Sequence, residues 1–250
     1  MTFYDWIFSK YPEGSEINGA WGALHIVTLI LIVETIVFIA LLFRKRSEKC
    51  RRAVIITIAS CILFFEIARR IIWSLDGGLE GFTTALRMLL PRPWCAISCW
   101  LMIVSAFAHK KFLYNIASTS GILCTLIFFA YPMVGFNNRY ILFENLYSIM
   151  THALLLLGCI SLLTLRFTDF QHKTAWKEGI CLAAIFGYAF LEIFLLKIEK
   201  DPLYFMPSND VMEVLGISYP VYLVVYVLFL CAYFSAFYAV PYFIRKRKIK

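Results

Sequence analysis

The chain has 250 residues, 61% of them hydrophobic and only 16% charged, where a soluble domain carries about 25% charged residues. The apolar residues gather into runs close to the ~20 residues a helix needs to cross a bilayer, and no series of short alternating segments points to a β-barrel. The net charge of +8 lies in short loops and at the C-terminus, where membrane topology uses it, which argues against nucleic acid as a partner. The composition reads as an all-α polytopic membrane helix bundle.

Residues 1–22 read as an N-terminal segment lying at the membrane interface. They lack the basic start of a cleavable signal peptide, and Phe3, Tyr4, Trp6, Ile7, Phe8 and Tyr11 make an aromatic-rich stretch suited to that boundary. Seven apolar runs follow within 23–241 and predict helices at Ala23–Phe43, Ala53–Leu75, Trp94–Ala108, Phe112–Tyr131, Asn145–Leu165, Trp176–Leu196 and Tyr219–Pro241. The third is short and is expected to begin before Trp94. Residues 242–250 read as a basic cytoplasmic tail, and no internal repeat is visible. Of the 24 Lys and Arg residues, 16 fall in the loops 44–52, 109–111 and 166–177 and after Pro241, and six lie on the other side. That bias predicts an outside N-terminus and a cytoplasmic C-terminus, with the basic residues facing anionic headgroups. Seven of the eight cysteines sit inside apolar runs, which is no disulfide framework.

An ionisable residue within a spanning helix costs at least ~2.5–3.5 kcal/mol, so such residues point to function. Here they are His25, Glu34, Glu66, Arg69, Arg70, His152 and Glu192. At ~1.5 Å per residue, Arg69 and Arg70 lie roughly 8 Å from the outer end of the second helix and Glu66 roughly 14 Å. His25, Cys95, His152 and Glu192 also fall in the outer half, while Glu34 sits nearer mid-membrane.

Glu66, Arg69 and Arg70 stand at i, i+3 and i+4 and share one helix face. The bland reading is a self-neutralised cluster that lets the helix insert. The sharper one is a site for phosphate or carboxylate, since two arginines against one glutamate leave a spare positive charge. His152 is either a hydrogen-bonded packing residue or a base that titrates near neutral pH. Cys95, near a helix start after Pro91 and Pro93, is either a small inert hydrophobe or a nucleophile. Cys95, Cys99, His25 and His152 have no recognised ligand spacing, so no metal is assigned, and no cofactor is expected.

The run Leu90-Pro91-Arg92-Pro93-Trp94-Cys95-Ala96-Ile97-Ser98 resembles the L-P-x-H-x-C-x-I-S signature of YwaF-like bacterial membrane proteins. Phe112-Leu113-Tyr114-Asn115, Thr151-His152-Ala153 (S-H-G in the family) and Tyr219-Pro220-Val221-Tyr222 extend the likeness. His25 looks like the family's first-helix histidine and Glu66 like its second-helix acidic residue. Pro93 stands where the family has histidine, and Asp201-Pro202 replaces its Asn-Tyr. The family is similar to a eukaryotic transmembrane acyltransferase group that acts on lysophospholipids through a cysteine. The resemblance implies a multi-pass protein of the bacterial cell membrane, with an acyl-enzyme at Cys95 and His152 as base. The resulting expectation is a lipid-binding cavity in the outer half, with His25, Glu66, Arg69, Arg70, Ser98 and Glu192 around the substrate. Two alternatives stand beside it. One is a small-molecule or lipid carrier, to which Glu34 would contribute. The other is a non-catalytic membrane sensor or partner subunit.

Overall fold

The structure, a computed structural model, describes residues 2–10, 12–17, 19, 21–75, 89–91, 94–131, 135–195, 203, 207, 212 and 215–247, with side chains to 239 in the last helix. Eight α-helices account for most of them: α1 Phe3–Ile7, α2 Ala23–Phe43, α3 Glu48–Leu75 and α4 Trp94–Ala108. They continue with α5 Lys111–Ala130, α6 Phe143–Thr164, α7 Ala175–Phe194 and α8 Tyr219–Arg247. A 3-10 turn at His172–Thr174 leads into α7. Among the described residues there is no strand, only an isolated bridge between Glu16 and Asn138. The protein is an all-helical membrane bundle.

All seven predicted runs fall on helices. By length and composition alone, α2, α5, α6 and the Tyr219–Ala239 part of α8 are able to cross a membrane. α4 is apolar but has 15 residues, and the earlier start expected for it falls on residues 92 and 93, outside the described residues. α3 and α7 carry charge within their apolar stretches, at Glu66, Arg69 and Arg70 and at Glu178 and Glu192.

Two boundaries differ from the sequence reading. α3 starts at Glu48 rather than Ala53, with Ser47 Oγ accepting the Cys50 N–H at 3.4 Å and Arg52 paired to Glu48 at 2.8 Å. The edge of an apolar run marks where nonpolar surface stops, and helical hydrogen bonding continues past it. α8 runs through Pro241 to Arg247, so residues 242–247 are helical rather than a separate tail. A proline withholds only its own N–H and bends a helix without having to end it.

The chain forms two compact units, residues 1–91 with 95–168 and residues 92–94 with 169–250. In the first, α6 is the shared axis, with α5 and α3 packed along it and α2 more lightly. α2 buries only His25, Ile32 and Ile39, a seven-residue seam that leaves its other faces apolar and exposed. α3 buries Ile55, Ile58, Ala59, Ile62, Glu66 and Arg69 in steps of three and four, so its charges continue the apolar stripe that meets α6. Gly158 permits that approach. A Cβ there would stand 2.7 Å from Met102 Cε and 3.1 Å from Ile58 Cγ2, so a larger residue would have to displace side chains of both neighbouring helices.

The N-terminal segment is tied to the start of α6. Trp6 Nε1 donates to the Ile141 carbonyl at 2.9 Å, and the Glu144 N–H donates to Ser9 Oγ at 2.9 Å. Phe3 and Tyr4 stay exposed. In the second unit, α7 buries Glu178, Ile185, Ala189 and Glu192. The Tyr238 hydroxyl of α8 donates to Glu178, and Tyr226 Oη donates to the Leu203 carbonyl at 2.7 Å.

Candidate functional site

The stripe that buries Ile62 on α3 reaches Glu66 one turn later, so the carboxylate is driven into the bundle by the apolar residues before it. Its side chain is fully buried. A charge there is tolerable only with partners, and three residues supply them. The Tyr147 hydroxyl on α6 donates to Oε1. Arg70 Nη1 donates to Oε2 at 2.5 Å and to the Glu66 carbonyl at 2.9 Å, while Arg70 Nε donates to the Leu89 carbonyl at 3.0 Å. Arg69 Nη2 lies 3.6 Å from Oε2, an ion pair without a hydrogen bond.

Aromatic faces hold the arginines where the carboxylate does not. The Arg69 guanidinium carbon lies 4.5 Å from the Trp73 ring centre and 4.7 Å from that of Tyr147, a sandwich between two rings. Arg70 lies 5.4 Å from the Trp100 ring. Two donors are left over. Arg69 Nε and Arg70 Nη2 are buried, and neither has a hydrogen-bond acceptor among the described residues. Among the described residues the side chains of Glu66, Arg69 and Arg70 therefore carry one net positive charge, with two buried guanidinium nitrogens lacking an acceptor.

Cys95 sits in the first turn of α4, half-buried between residues that are buried. His152 lies on α6, half-buried, with its ring stacked on Phe128 at 3.7 Å and 8° between planes. Its Nδ1 is 2.7 Å from the Ser148 carbonyl, so Nδ1 carries the hydrogen and Nε2 holds the lone pair.

The other predicted residues stand elsewhere. Ser98 is sealed, and its hydroxyl meets that of Ser120 at 2.7 Å, tying α4 to α5. His25 is fully buried among Trp21, Phe129 and Phe136, with Nδ1 accepting the Trp21 N–H at 3.2 Å. The Ser98 hydroxyl is thus spent on helix packing, whereas His25 Nε2 is buried with no hydrogen-bond partner among the described residues. Glu192 belongs to the second unit, where Tyr188 Oη donates to it at 2.9 Å. Glu34 is exposed on the outward side of α2, which removes the support it offered to a ligand path through the bundle. Among the described residues, no three His, Cys, Asp or Glu side chains are grouped to hold a metal ion.

Sequence reasoning missed Tyr147, Trp73 and Trp100. Trp73 was within its reach, because it follows Arg69 by four and so shares its face. Tyr147 left a weaker trace as one of several polar residues, with Asn145, Ser148 and Thr151, on an otherwise apolar run. Trp100 is on another helix and had no local signal.

No curated protein and no solved structure matches the chain. One family model does, that of the TMEM164 family, over residues 20–238, a span that includes every residue of the cluster around Glu66. The chain therefore belongs to the TMEM164 family and is a multi-pass membrane protein.

Proposed function

We propose that this protein binds a phospholipid in the outer half of the bundle, with the phosphate held by Arg69 and Arg70, and transfers its acyl chain through Cys95. The observation that carries the reading is the arginine surplus around Glu66, with Arg69 Nε and Arg70 Nη2 buried and lacking an acceptor among the described residues. An anionic oxygen fits both the spare charge and the open donor directions. The orientation of His152 supports the catalytic half, since a backbone carbonyl fixes Nδ1–H and leaves Nε2 as the base. The run around Cys95 resembles the YwaF-like signature, and the similarity of that family to cysteine acyltransferases adds an argument by analogy at one remove.

In this reading His152 Nε2 takes the Cys95 proton as sulfur attacks the ester carbonyl of the donor lipid. The carbonyl–oxygen bond breaks, and the imidazolium returns the proton to the departing lysolipid alkoxide. A second lysolipid hydroxyl then gives its proton to His152 and attacks the thioester, and Cys95 recovers its proton as the thiolate leaves. The arginine charge steadies the phosphate and the developing oxyanion.

An acyl-phosphonate probe on the purified protein tests the chemistry. Labelling is expected at Cys95, lost in His152→Ala and kept in Cys99→Ala. Labelling that ignores His152 removes the proposed base. For the phosphate site, anionic phospholipid should raise the melting temperature of the wild type, and the Arg69→Ala or Arg70→Ala change that cancels this rise identifies the holding residue. A protein indifferent to every phospholipid and lysophospholipid would leave the arginines as mere neutralisers of Glu66. Placement in the outer half rests on the basic-residue bias. In intact cells an impermeant thiol reagent should modify Asn137→Cys and spare Cys50, and the reverse pattern would move the site to the cytoplasmic half.

A further inference from the structure

We propose a second binding site, within the unit formed by residues 169–250, for an organic cation: an ammonium group carried by a small molecule or by a lipid headgroup. A cleft of about 450 Å³ lies between the start of α7 and α8, walled by His172, Glu178, Leu182, Phe234 and Tyr238. Leu182 and Phe234 make much of that wall apolar. Glu178, His172, Ser235 and Tyr238 are its polar groups, and Glu178 is a carboxylate only 3% exposed.

The carboxylate is held in place. The Tyr238 hydroxyl donates to Oε1, and the Tyr238 ring is set edge-on against Phe170 at 5.6 Å, with His172 at 5.9 Å. A fixed negative charge bordered by aromatic rings is the chemistry that recognises ammonium groups, through charge attraction and the negative faces of the rings. The same carboxylate disfavours an anionic ligand, and a wholly apolar one would gain nothing from its charge. Gly179 also lines the cleft, and a Cβ built on it meets nothing within 4 Å. The space is therefore open at that point and can be filled by a side chain without disturbing the helix. This site differs in sign from the arginine cluster of the other unit, and it stands or falls independently of the acyl-transfer reading.

The test uses the purified full-length protein and its thermal unfolding in detergent. Choline chloride should raise the melting temperature in a saturable way, beyond potassium chloride at equal ionic strength. Phosphatidylcholine and phosphatidylglycerol form the lipid arm. A rise with free choline assigns the site to a soluble cation, and a rise with phosphatidylcholine but not free choline, cancelled by Glu178→Gln, assigns it to a headgroup. Glu178→Gln keeps an acceptor for Tyr238 while removing the charge, and should weaken the apparent affinity about tenfold or more. Gly179→Leu should abolish the response by filling the cleft, and it carries the test if Glu178→Gln does not fold. Equal responses in the wild type and both variants, or a wild type that answers neither choline nor phosphatidylcholine, would overturn the proposal. Cys95 labelling in the same variants should stay unchanged, which separates this result from the fate of the catalytic reading.

Discussion

Glu34 and Glu66 look alike in the sequence, each a carboxylate within an apolar run, yet the fold treats them in opposite ways. Glu66 is fully buried and receives Tyr147, Arg70 and Arg69, whereas Glu34 is exposed on α2. Helix phase explains the difference. Glu66 lies on the buried stripe of α3, four residues after Ile62. Glu34 lies two residues after Ile32, about 200° around from the narrow seam by which α2 is buried. A charge in a membrane helix is therefore a marker of a site only when it shares the face on which its helix packs.

The sharpest way to break this contrast is Glu66→Gln. The substitution leaves two guanidinium groups without their counter-charge in the bundle, and stranding a buried charge costs ~3–5 kcal/mol. Chemical unfolding in detergent should show a loss of that size if the arginines only neutralise Glu66, and a milder one if an arginine is already held for an anionic ligand. An unfolding curve matching the wild type would mean that the arginines find other partners and that Glu66 is no more engaged than Glu34. A smaller loss is expected from Gly158→Leu, which pushes a side chain into Met102 and Ile58 and should cost ~1–3 kcal/mol by overpacking. It presses α6 away from α3 and so strains the Tyr147–Glu66 bond as well. No loss would mean that the stripe carrying Glu66 is not held against α6.

Trp73→Leu acts on one partner of the cluster alone. It keeps apolar bulk beside Arg69 while removing one of the two rings that sandwich the guanidinium, and should cost about 1 kcal/mol, within the range of a cation–π contact. A double-mutant comparison with Arg69→Leu checks the assignment, since the Trp73 effect should then disappear.

The seven main helices were legible as apolar runs near the length a bilayer demands, although α4 falls short of it and α3 and α7 carry charge. Their limits were less so. Glu48–Arg52 prolongs α3 through a local ion pair outside the apolar run, and the chain's last helix runs through Pro241 rather than ending there. The division into two units left no mark in the sequence, since no linker composition separates Thr168 from Asp169. Within the site, the i, i+3, i+4 spacing made the Glu66–Arg70 pair readable, because both partners lie on one helix. Tyr147 comes from 81 residues away, and the apolar character of every face of a membrane helix hides which one turns inward. The same blindness hid that the Ser98 hydroxyl meets Ser120 and so ties α4 to α5.

The smallest effect should come from Glu34→Leu, and it tests the other half of the contrast. The insertion of a charged residue into a membrane helix is costly, so a simple hydropathy argument expects a leucine there to stabilise the protein by kilocalories. The unfolding equilibrium is a different quantity. Helices in a membrane protein form before they pack, so the unfolded reference retains α2 as a separate helix. Glu34 is exposed in the folded bundle and equally exposed on that separate helix, and its environment changes little on packing. Glu34→Leu should therefore alter unfolding by less than ~0.5 kcal/mol, the usual range for a surface substitution, and leave Cys95 labelling intact. Reversible unfolding in detergent, with folding in lipid vesicles as a second setting, provides the measurement. A destabilisation comparable to that of Glu66→Gln would show that Glu34 is engaged after all, and the rule drawn from helix phase would then fail at its clearest case.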